Sequence, residues 1–293
     1  MERRIKRANF SICWTDPEKR EFRLELGKKT LVMGVLNLTP DSFYDGGRYQ
    51  DPARAADQAL AMEAAGADII DIGGESSRPG AEEVSAREEL KRVIPVLERL
   101  QGALGVPISI DSYKAVVTRE ALENGAQIIN DISALRFDPE MPGVAASVSG
   151  PVVLMHMKGT PRNMQLKPEY KDVVAEIKDF FRQRLEAVED KGIDRKRVIL
   201  DPGIGFGKTL EHNLQIIAGL AGFADLGRPL LIGPSRKSFI GMLLDRPAEE
   251  RLWGTAGSVA ASILMGAHVI RVHDAGEMKD VAAVVDAIAA SER

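Results

Sequence analysis

Short apolar runs alternate along the chain with longer segments of helical period. The short runs are almost continuous in Val, Ile and Leu, which is typical of strands buried on both faces. The longer segments repeat apolar residues every three or four positions, as amphipathic helices do. We predict strands at residues 31–36, 69–72, 107–110, 127–130, 152–155, 198–200, 230–232 and 269–272. The predicted helical segments include residues 53–65, 86–100, 114–124, 173–191 and 255–265.

Eight strands that alternate with helices predict a (β/α)8 TIM barrel, and a doubly wound open sheet is the alternative. The number of strands and the length of 293 residues favour the barrel. Several helical segments end at a glycine shortly before the next strand, as at Gly66, Gly125 and Gly266. Glycine suits that position because it readily adopts the left-handed conformation that closes a helix.

The first 29 residues follow a different pattern. Residues 10–14 and 22–26 alternate apolar and polar side chains, and Asp16-Pro17 lies between them, which predicts a β-hairpin. We expect this hairpin to cap the bottom of the barrel. The predicted organisation is an N-terminal hairpin extension over residues 1–29 and a single barrel domain over residues 30–293.

Composition excludes some classes of function. The net charge of −4 gives no electrostatic reason to expect nucleic-acid binding. The most apolar stretch, residues 255–272, includes His268 and Arg271, so we interpret it as a buried helix and strand and expect no membrane span. The basic residues near the start precede no apolar segment, so we expect no targeting signal. Cys13 is the single cysteine, which excludes an internal disulfide and fits a cytoplasmic protein.

Polar residues follow almost every predicted strand. In a (β/α)8 barrel the carboxyl ends of the strands meet at one face, and the active site lies there. A single polar strand end is commonly a turn-capping side chain, but eight that converge predict a polar pocket. These residues are Asn37, Glu75, Asp111, Asn130 with Asp131, His156, Asp201, Lys237, and Arg271 with His273.

Four of these side chains come from four different strands and suit a flat heterocycle. Asp111 and Asp201 accept hydrogen bonds, Lys237 donates them, and Asn130 does both. A pterin offers matching donors and acceptors, whereas a structural Asp–Lys pair is the alternative reading. The candidates to pack on the ring faces, each equally explained as core, are Ile132, Met155, Phe206 and Leu231.

Two other patterns suggest structure more than function. Residues 202–209 end like a phosphate-binding P-loop, but Pro202 replaces the leading glycine that this motif requires. We therefore interpret the glycines of this segment as a tight turn. The acidic pairs at residues 82–83 and 88–89 are interpreted as solvated helix faces.

Three segments after predicted strands resemble a known family. They are residues 36–43 (LNLTPDSF), residues 73–80 (GGESSRPG) and residues 233–238 (GPSRKS). Together they resemble the dihydropteroate synthases, the folate-pathway enzymes that sulfonamides block. The resemblance extends from about residue 30 to residue 286, which is nearly the whole chain.

The resemblance implies a transferase of an alkyl (pterin-methyl) group. Such an enzyme condenses 6-hydroxymethyl-7,8-dihydropterin diphosphate with p-aminobenzoate and releases 7,8-dihydropteroate and diphosphate. Mg²⁺ as cofactor and a homodimer are also implied, as are catalytic roles for Asp111, Asp201 and Lys237. The implied pterin contacts are Asp111, Asn130, Ile132, Met155, Asp201, Phe206, Leu231, Gly233 and Lys237.

The same resemblance assigns the other two substrate groups. It places p-aminobenzoate with its carboxylate at the start of the helix that Ser238 begins and with Arg236 over its ring, whereas a simple N-cap is the alternative role of Ser238. The implied diphosphate ligands are Asn37, Ser77, Arg78, Arg271 and His273, with Asn37 also the metal ligand. The implied p-aminobenzoate contacts are Thr39, Phe43, Pro79, Ser235, Arg236 and Ser238.

The sequence departs from the family pattern at three positions. Ser77 keeps the expected hydroxyl, Pro234 stiffens the approach to Ser235, and Tyr44 changes a loop tip, which leaves sulfonamide sensitivity open. Two other functions fit the same barrel. One is a pterin-binding methyltransferase that passes a methyl group to a corrinoid protein, and the other is a non-catalytic pterin-binding barrel. Both are disfavoured because the three segments and the Arg271-X-His273 pair suit a diphosphate substrate and all are present.

Overall fold

The computed structural model describes residues 7–16, 19–39, 51–78 and 80–291. An antiparallel hairpin of β1 (Phe10–Thr15) and β2 (Glu21–Leu26) comes first. The strands that follow are β3 (Leu31–Asn37), β4 (Ile69–Gly73), β5 (Ile108–Asp111), β6 (Ile128–Asp131), β7 (Val152–Met155), β8 (Val198–Asp201), β9 (Leu231–Ile232) and β10 (Val269–Val272). The helices are α1 (Pro52–Ala64), α2 (Ala86–Leu100), α3 (Ala115–Glu123), α4 (Met141–Ala146), α5 (Val173–Glu189), α6 (Leu210–Ala218), α7 (Ser238–Leu244), α8 (Leu252–Leu264) and α9 (Ala275–Ala290).

Strands β3 to β10 form one parallel sheet that curls into a barrel. They are hydrogen-bonded in the order β8-β7-β6-β5-β4-β3-β10-β9. The two end strands meet through a parallel bridge between Leu200 and Leu230, and Leu200 N donates to Pro229 O at 2.9 Å. The sheet is therefore a nearly closed barrel, and the predicted (β/α)8 fold is confirmed.

The predicted strands form at the expected places, and none of their ends moves by more than one residue. Strand β9 is shortened from the predicted three residues to Leu231–Ile232. Leu230 makes an isolated bridge instead of joining the strand. Helix α8 begins at Leu252, three residues before the predicted start. Helix boundaries move this easily because the terminal turns of a helix lack half of their internal hydrogen bonds.

The predicted hairpin is present and its apolar face closes one end of the barrel. Ile12, Trp14, Leu24 and Leu26 are each at most 5% exposed, whereas the alternate residue Cys13 is exposed. They join an inner cluster with residues of the barrel strands. The hairpin and the barrel thus share a core, and the division at residues 29 and 30 stays a prediction. The barrel members of this inner cluster are Leu31, Met33, Ile69, Ile128, Val153, Ile199, Leu231 and Val269.

The segment before the hairpin is bound to the last helix. Arg7 donates to Asp286 Oδ1 at 2.5 Å and to Ala267 O at 2.8 Å. Thr30 donates to the same carboxylate from its backbone nitrogen at 2.6 Å and from its hydroxyl at 3.0 Å. The chain is therefore tied across the seam between β3 and β10 by residues from its two ends.

A membrane span was not expected from the sequence. Among the helices formed by the described residues, none combines the length and the apolar character that crossing a bilayer requires.

Candidate active site

The polar residues that follow the strands gather at the end of the barrel opposite the hairpin. Asp111 is the last residue of β5 and is paired in register with Asn130 of β6. Arg271 of β10 donates to Asp111 Oδ2 at 2.5 Å across the barrel mouth. The parallel direction of the strands brings these residues together because all carboxyl ends lie at one face.

Asp201 and Lys237 form the opposite side of this mouth. Asp201 ends β8, and its Oδ1 accepts from Gly203 N at 2.7 Å. Lys237 Nζ donates to Ile204 O at 2.5 Å and lies 4.2 Å from the ring centroid of Phe206. The turn after β8 therefore supports both charged groups.

Gly205 makes this approach of the lysine possible. Its φ is +84°, and a Cβ at this position would lie 2.9 Å from Lys237 Cδ. Any other residue would meet both the backbone penalty of the left-handed region and a clash with the lysine stem. The glycines of residues 203–207 thus serve a tight turn, which matches the interpretation of this segment from the sequence.

Burial brings the pKa values of two of these groups close to neutrality. Burial raises the pKa of Asp111 to about 7, although the Arg271 guanidinium opposes this rise. Burial lowers the pKa of Lys237 to about 8, and Asp201 opposes that change. The pKa of Asp201 is raised by burial and pulled down by Lys237. The site therefore offers one acceptor, Asp111, and one donor, Lys237, whose charges respond to pH near neutrality.

Arg271 keeps its charge at the centre of the site. Burial disfavours the guanidinium, but Asp71 and Asp111 outweigh that effect, so the pKa of Arg271 is raised. The carboxylate of Asp71 accepts from Arg271 Nε at 2.6 Å. A guanidinium has five N–H donors, and the contacts with Asp71 and Asp111 use only its Nε and Nη2 groups.

Three of the four predicted ring-face residues lie together. Ile132, Met155 and Phe206 belong to one apolar cluster at the mouth, with Met157 and Met164. Leu231 instead lies fully buried in the inner cluster next to the hairpin, so the structure does not bring it together with the other three. Leu231 does face the barrel interior, but in the layer that packs on the hairpin, below the mouth.

The predicted diphosphate ligands lie around the rim of the mouth. Asn37 ends β3 and is half-buried, while Ser77 is half-buried and Arg78 exposed in the loop after β4. His273 follows β10, and its Nδ1 lies 2.9 Å from Ser235 Oγ. Burial and the neighbouring Arg271 lower the pKa of His273 to about 4, so this histidine is neutral at pH 7 and offers hydrogen bonds without a charge.

The predicted p-aminobenzoate contacts divide into two groups. Thr39 and Ser235 are buried near the strand ends, whereas Phe43 and Pro79 lie outside the described residues. Arg236 is in the left-handed region with φ of +56° and donates to both oxygens of Asp274, at 2.9 and 2.5 Å. The Asp274 pair thus fixes the plane of the guanidinium.

Helix α7 begins one residue earlier than the alternative N-cap role of Ser238 requires. Ser238 is the first helical residue, and Lys237 occupies the N-cap position without a side-chain cap hydrogen bond. The alternative role of Ser238 as a simple N-cap is therefore wrong. Its backbone N–H is one of the groups at the helix start that have no partner within the helix.

Gly233 and Asp131 contact neighbouring protein groups at the barrel mouth. Gly233 is buried beside the Arg271 side chain. A Cβ added at Gly233 would lie 3.7 Å from Arg271 Cβ. Asp131 accepts from the backbone of Ser133 at 2.6 Å and of Leu135 at 3.0 Å, so its carboxylate shapes the turn after β6. It supports the turn that carries Ile132.

A cavity of about 320 Å³ lies beside the barrel mouth, beneath the loop after β4. The loop reaches across to residues 160–162, because Gly80 N donates to Pro161 O at 3.3 Å and Arg162 pairs with Glu83 at 3.1 Å. The cavity has the size of a small-molecule pocket. Its lining includes four residues that the sequence predicts at the site, Glu75, Ser77, Asp111 and Ile132.

Glu89, predicted to lie on a solvated helix face, is fully buried against this cavity. Its Oε2 accepts from Lys114 Nζ at 2.6 Å, and the same ammonium donates to Glu75 Oε2 at 2.5 Å. Burial raises the pKa of Glu89. The prediction was wrong because one cation shared between two carboxylates holds this acid in the interior.

Sequence reasoning missed two charged residues of the site. Asp71 lies in the middle of β4 with no exposed surface, and the signal was a carboxylate inside an apolar strand. Lys208 is almost fully buried and donates to Phe206 O at 2.9 Å, with His156 Nδ1 at 3.0 Å. Burial lowers the pKa of Lys208 well below its usual value, although Asp201 opposes this. Its signal was a lysine inside a glycine-rich turn.

Comparisons with known proteins identify the family of this chain. The family model described as pterin binding enzyme matches residues 33–273. The dihydropteroate synthase of Synechocystis is 48% identical over 89% of this chain and 91% of its own length.

Solved structures extend the likeness to the fold. The dihydropteroate synthase of Yersinia pestis, in complex with a sulfonamide drug, superposes with a TM-score of 0.89 at 42% identity over 96% of this chain and 100% of its own. The enzyme of Xanthomonas albilineans with 4-aminobenzoic acid gives a TM-score of 0.87 at 42% identity, over 96% and 99% of the two chains. Since the family model and these relatives span nearly the whole barrel, the chain belongs to the pterin binding enzymes, among the dihydropteroate synthases.

Proposed function

We propose that this enzyme joins 6-hydroxymethyl-7,8-dihydropterin diphosphate to p-aminobenzoate, forming 7,8-dihydropteroate and diphosphate. One observation carries the proposal: Asp111, Asn130 and Asp201 at the ends of three strands, and Lys237 after β9, converge at a mouth that Arg271 also enters. The site therefore combines ring recognition with positive charge for a leaving group. The family relatives with a sulfonamide and with 4-aminobenzoic acid support the same reaction.

The pterin ring is proposed to lie between the two carboxylates. Asp201 accepts from the amino-pyrimidine edge, Asp111 and Asn130 face the other ring edge, and Lys237 donates to O4 and N5. When the bond to the diphosphate breaks, positive charge spreads into the pterin. Buried carboxylates stabilise such a charge strongly because little water screens them. We assign catalytic roles to Asp111, Asp201 and Lys237 on this basis.

The leaving diphosphate is proposed to lie at the rim. Arg271 and Arg78 supply charge, while Ser77 and the neutral His273 add hydrogen bonds. Asn37 offers an oxygen ligand for Mg²⁺, which takes few protein ligands and otherwise substrate oxygens and water. No group of three or more acidic, His or Cys residues is arranged for a metal within the described part of the chain, which fits a metal held mainly by the diphosphate. Bound Mg²⁺ would neutralise charge on the leaving group.

The second substrate is proposed to bind where β9 meets α7. The free N–H groups at the start of α7 and the hydroxyl of Ser235 suit a carboxylate. Arg236, whose guanidinium is fixed by Asp274, lies flat over the aromatic ring. Such a holder places the weak aniline nucleophile in line with the departing diphosphate.

The proposal is tested by following diphosphate release and dihydropteroate formation with both substrates and Mg²⁺. Release is expected to require p-aminobenzoate and to fall by about a thousandfold in Lys237→Ala. The control is Lys196→Ala, because Lys196 is an exposed lysine just before β8, at the opposite end of the barrel. Turnover of Lys237→Ala near the wild-type rate would show that the site assignment is wrong. Pterin binding without turnover would favour the methyltransferase or the non-catalytic barrel.

A homodimer is the proposed assembly, and an exposed apolar surface supports it. Met242, Leu243 and Leu244 of α7 and Trp253 of α8 are all exposed, Trp253 by 81%. Large apolar side chains grouped on a surface are typical of protein interfaces. Trp253→Asp is expected to shift sedimentation toward the monomer while the far-UV circular dichroism stays unchanged. A wild-type monomer at micromolar concentration would contradict the proposal.

A cytoplasmic location is likewise proposed. Cys13 is an exposed free thiol, and such thiols persist in a reducing compartment. Fractionation of cells that express the tagged protein tests this, and recovery in a secreted or membrane fraction would overturn it.

A further inference from the structure

Asp71 occupies an unusual place for a carboxylate. It is the central residue of β4, between Ile70 and Ile72, and has no exposed surface. Ile69, two residues before it, belongs to the inner cluster of the barrel, whereas Ile70 and Ile72 belong to the outer one. Asp71 therefore points into the barrel, one layer above the inner cluster and directly below the proposed pterin site.

Two proposed substrate ligands contact this carboxylate. Arg271 Nε donates to Oδ2 at 2.6 Å, and Asn130 Nδ2 lies 3.1 Å from Oδ2 and 3.3 Å from Oδ1. The three residues belong to alternate strands, β10, β4 and β6, which contribute to one interior layer of a barrel. Asp71 thus connects the diphosphate side of the site with the ring side.

The contact decides which way the Asn130 amide faces. Asp71 Oδ2 accepts from Arg271 Nε, so this carboxylate presents acceptor oxygens to its neighbours. The amide nitrogen of Asn130 must therefore face Asp71, and its oxygen must face away from Asp71. Asp111, the neighbour of Asn130 in register, is also an acceptor when ionised. Two acceptors side by side suit a ring N–H and repel a bare ring nitrogen.

We propose that Asp71 is a positioning residue that sets the specificity of the site for a reduced pterin ring, by fixing the Asn130 amide with its oxygen toward the ligand. The proposal rests on the proposed function, because it assumes that a pterin binds between Asp111 and Asn130. A 7,8-dihydropterin carries an N–H at N8, whereas the fully oxidised ring has a lone pair there. The two rings have nearly the same shape, so the difference is one of hydrogen-bond polarity.

The test compares the affinities of 7,8-dihydropterin and fully oxidised pterin. The wild type is expected to prefer the dihydro form, and Asp71→Asn should reduce the ratio of the two Kd values by about tenfold, since one oriented hydrogen bond is lost. The substitution lets the Asn130 amide rotate, because the side-chain amide that replaces the carboxylate offers both a donor and an acceptor. A purely structural role would weaken both ligands alike and leave the ratio unchanged.

An exchanged pair provides the matched control. In the double variant Asp71→Asn, Asn130→Asp the formal charge is kept, and the carboxylate at position 130 is an acceptor in either rotation. The preference for the dihydro ring should therefore return. An unchanged ratio in Asp71→Asn, or no recovery in the double variant, overturns the inference.

A measurement on the wild type does not depend on the folding of any variant. The Nδ2 protons of Asn130, resolved by NMR with ¹⁵N-labelled asparagine, should exchange slowly both free and with dihydropterin bound. Fast exchange in the complex overturns the inference even if pterin binding is normal. A wild type that binds neither ring overturns the proposed function itself, and this inference with it.

Discussion

The affinity of the site for a pterin should depend on pH, because two proposed ring contacts titrate near neutrality. Burial raises the pKa of Asp111 to about 7, with Arg271 opposing, and lowers the pKa of Lys237 to about 8, with Asp201 opposing. A ring N–H binds the ionised form of Asp111, and a ring acceptor binds the protonated form of Lys237. Affinity for 7,8-dihydropterin is therefore expected to be highest between these two values.

The size of the effect follows from the fraction of protein that carries both charges. Two pH units below its pKa, only about 1% of Asp111 is ionised. The apparent Kd at pH 5 should then be about a hundredfold higher than at pH 7.5. The raised pKa of Asp201 adds to this loss at the acid end. Above pH 8, deprotonation of Lys237 should weaken binding by about tenfold for each pH unit.

Titration calorimetry with 7,8-dihydropterin from pH 5 to 9.5 measures both limbs, and circular dichroism at each pH verifies the fold. Asp111→Asn should bind more weakly at pH 7.5 and should lose the part of the acid limb with a midpoint near 7. The reasoning is refuted if wild-type affinity is constant from pH 5 to 7.5. It is refuted equally if Asp111→Asn keeps the same acid midpoint.

Three further predictions concern stability. Lys114→Met should lower the free energy of unfolding by about 3 kcal/mol at pH 7, because two buried carboxylates lose their shared cation. The control Lys91→Met removes an exposed ion pair on α2 and should change the free energy of unfolding by less than about 1 kcal/mol. Asp286→Ala removes the acceptor of three donors and should lower the free energy of unfolding by about 2 kcal/mol. Asp280→Ala, on the exposed face of α9, should leave the free energy of unfolding almost unchanged. Equal urea midpoints for the two variants would contradict a stabilising role of the seam contacts. Burial lowers the pKa of His268 to about 4 from about 6.5 when unfolded. The folded state thus favours the neutral ring, so stability should be complete above pH 6.5 and should fall by up to about 3 kcal/mol as pH drops toward 4. His268→Gln should flatten this slope in urea melts.

The sequence correctly placed several polar residues at one face of the barrel, because the signal for this was topological. Asp111, Asn130 and Asp201 each follow an apolar run, and parallel strands carry such residues to one face whatever their exact packing. The roles assigned to individual residues by family resemblance stay predictions. Leu231 shows the limit of this reasoning, because facing inward at the top or at the bottom of a barrel depends on strand stagger that composition does not reveal.

Buried charge was where sequence reasoning failed. Glu89 was read as part of an acidic surface pair, although residues 89, 93, 96 and 100 share one helix face and the other three are apolar. The helical period alone therefore contained the signal. Asp71 and Lys208 are different, because their partners come from strands and turns far away in the chain. A local sequence pattern does not predict that a buried charge will have such distant partners.

The contacts of Asp286 with Arg7 and Thr30 also bear on how the chain reaches its native state. Strand β3 pairs with β4 on one side and with β10 on the other, and α9 follows β10. During synthesis the early strands emerge first, yet β3 keeps an open edge until β10 has left the ribosome. The ring of strands and the seam that fastens it are thus completed by the last tenth of the polypeptide. A ribosome that stalls before residue 269 would release a chain with an unpaired, aggregation-prone edge.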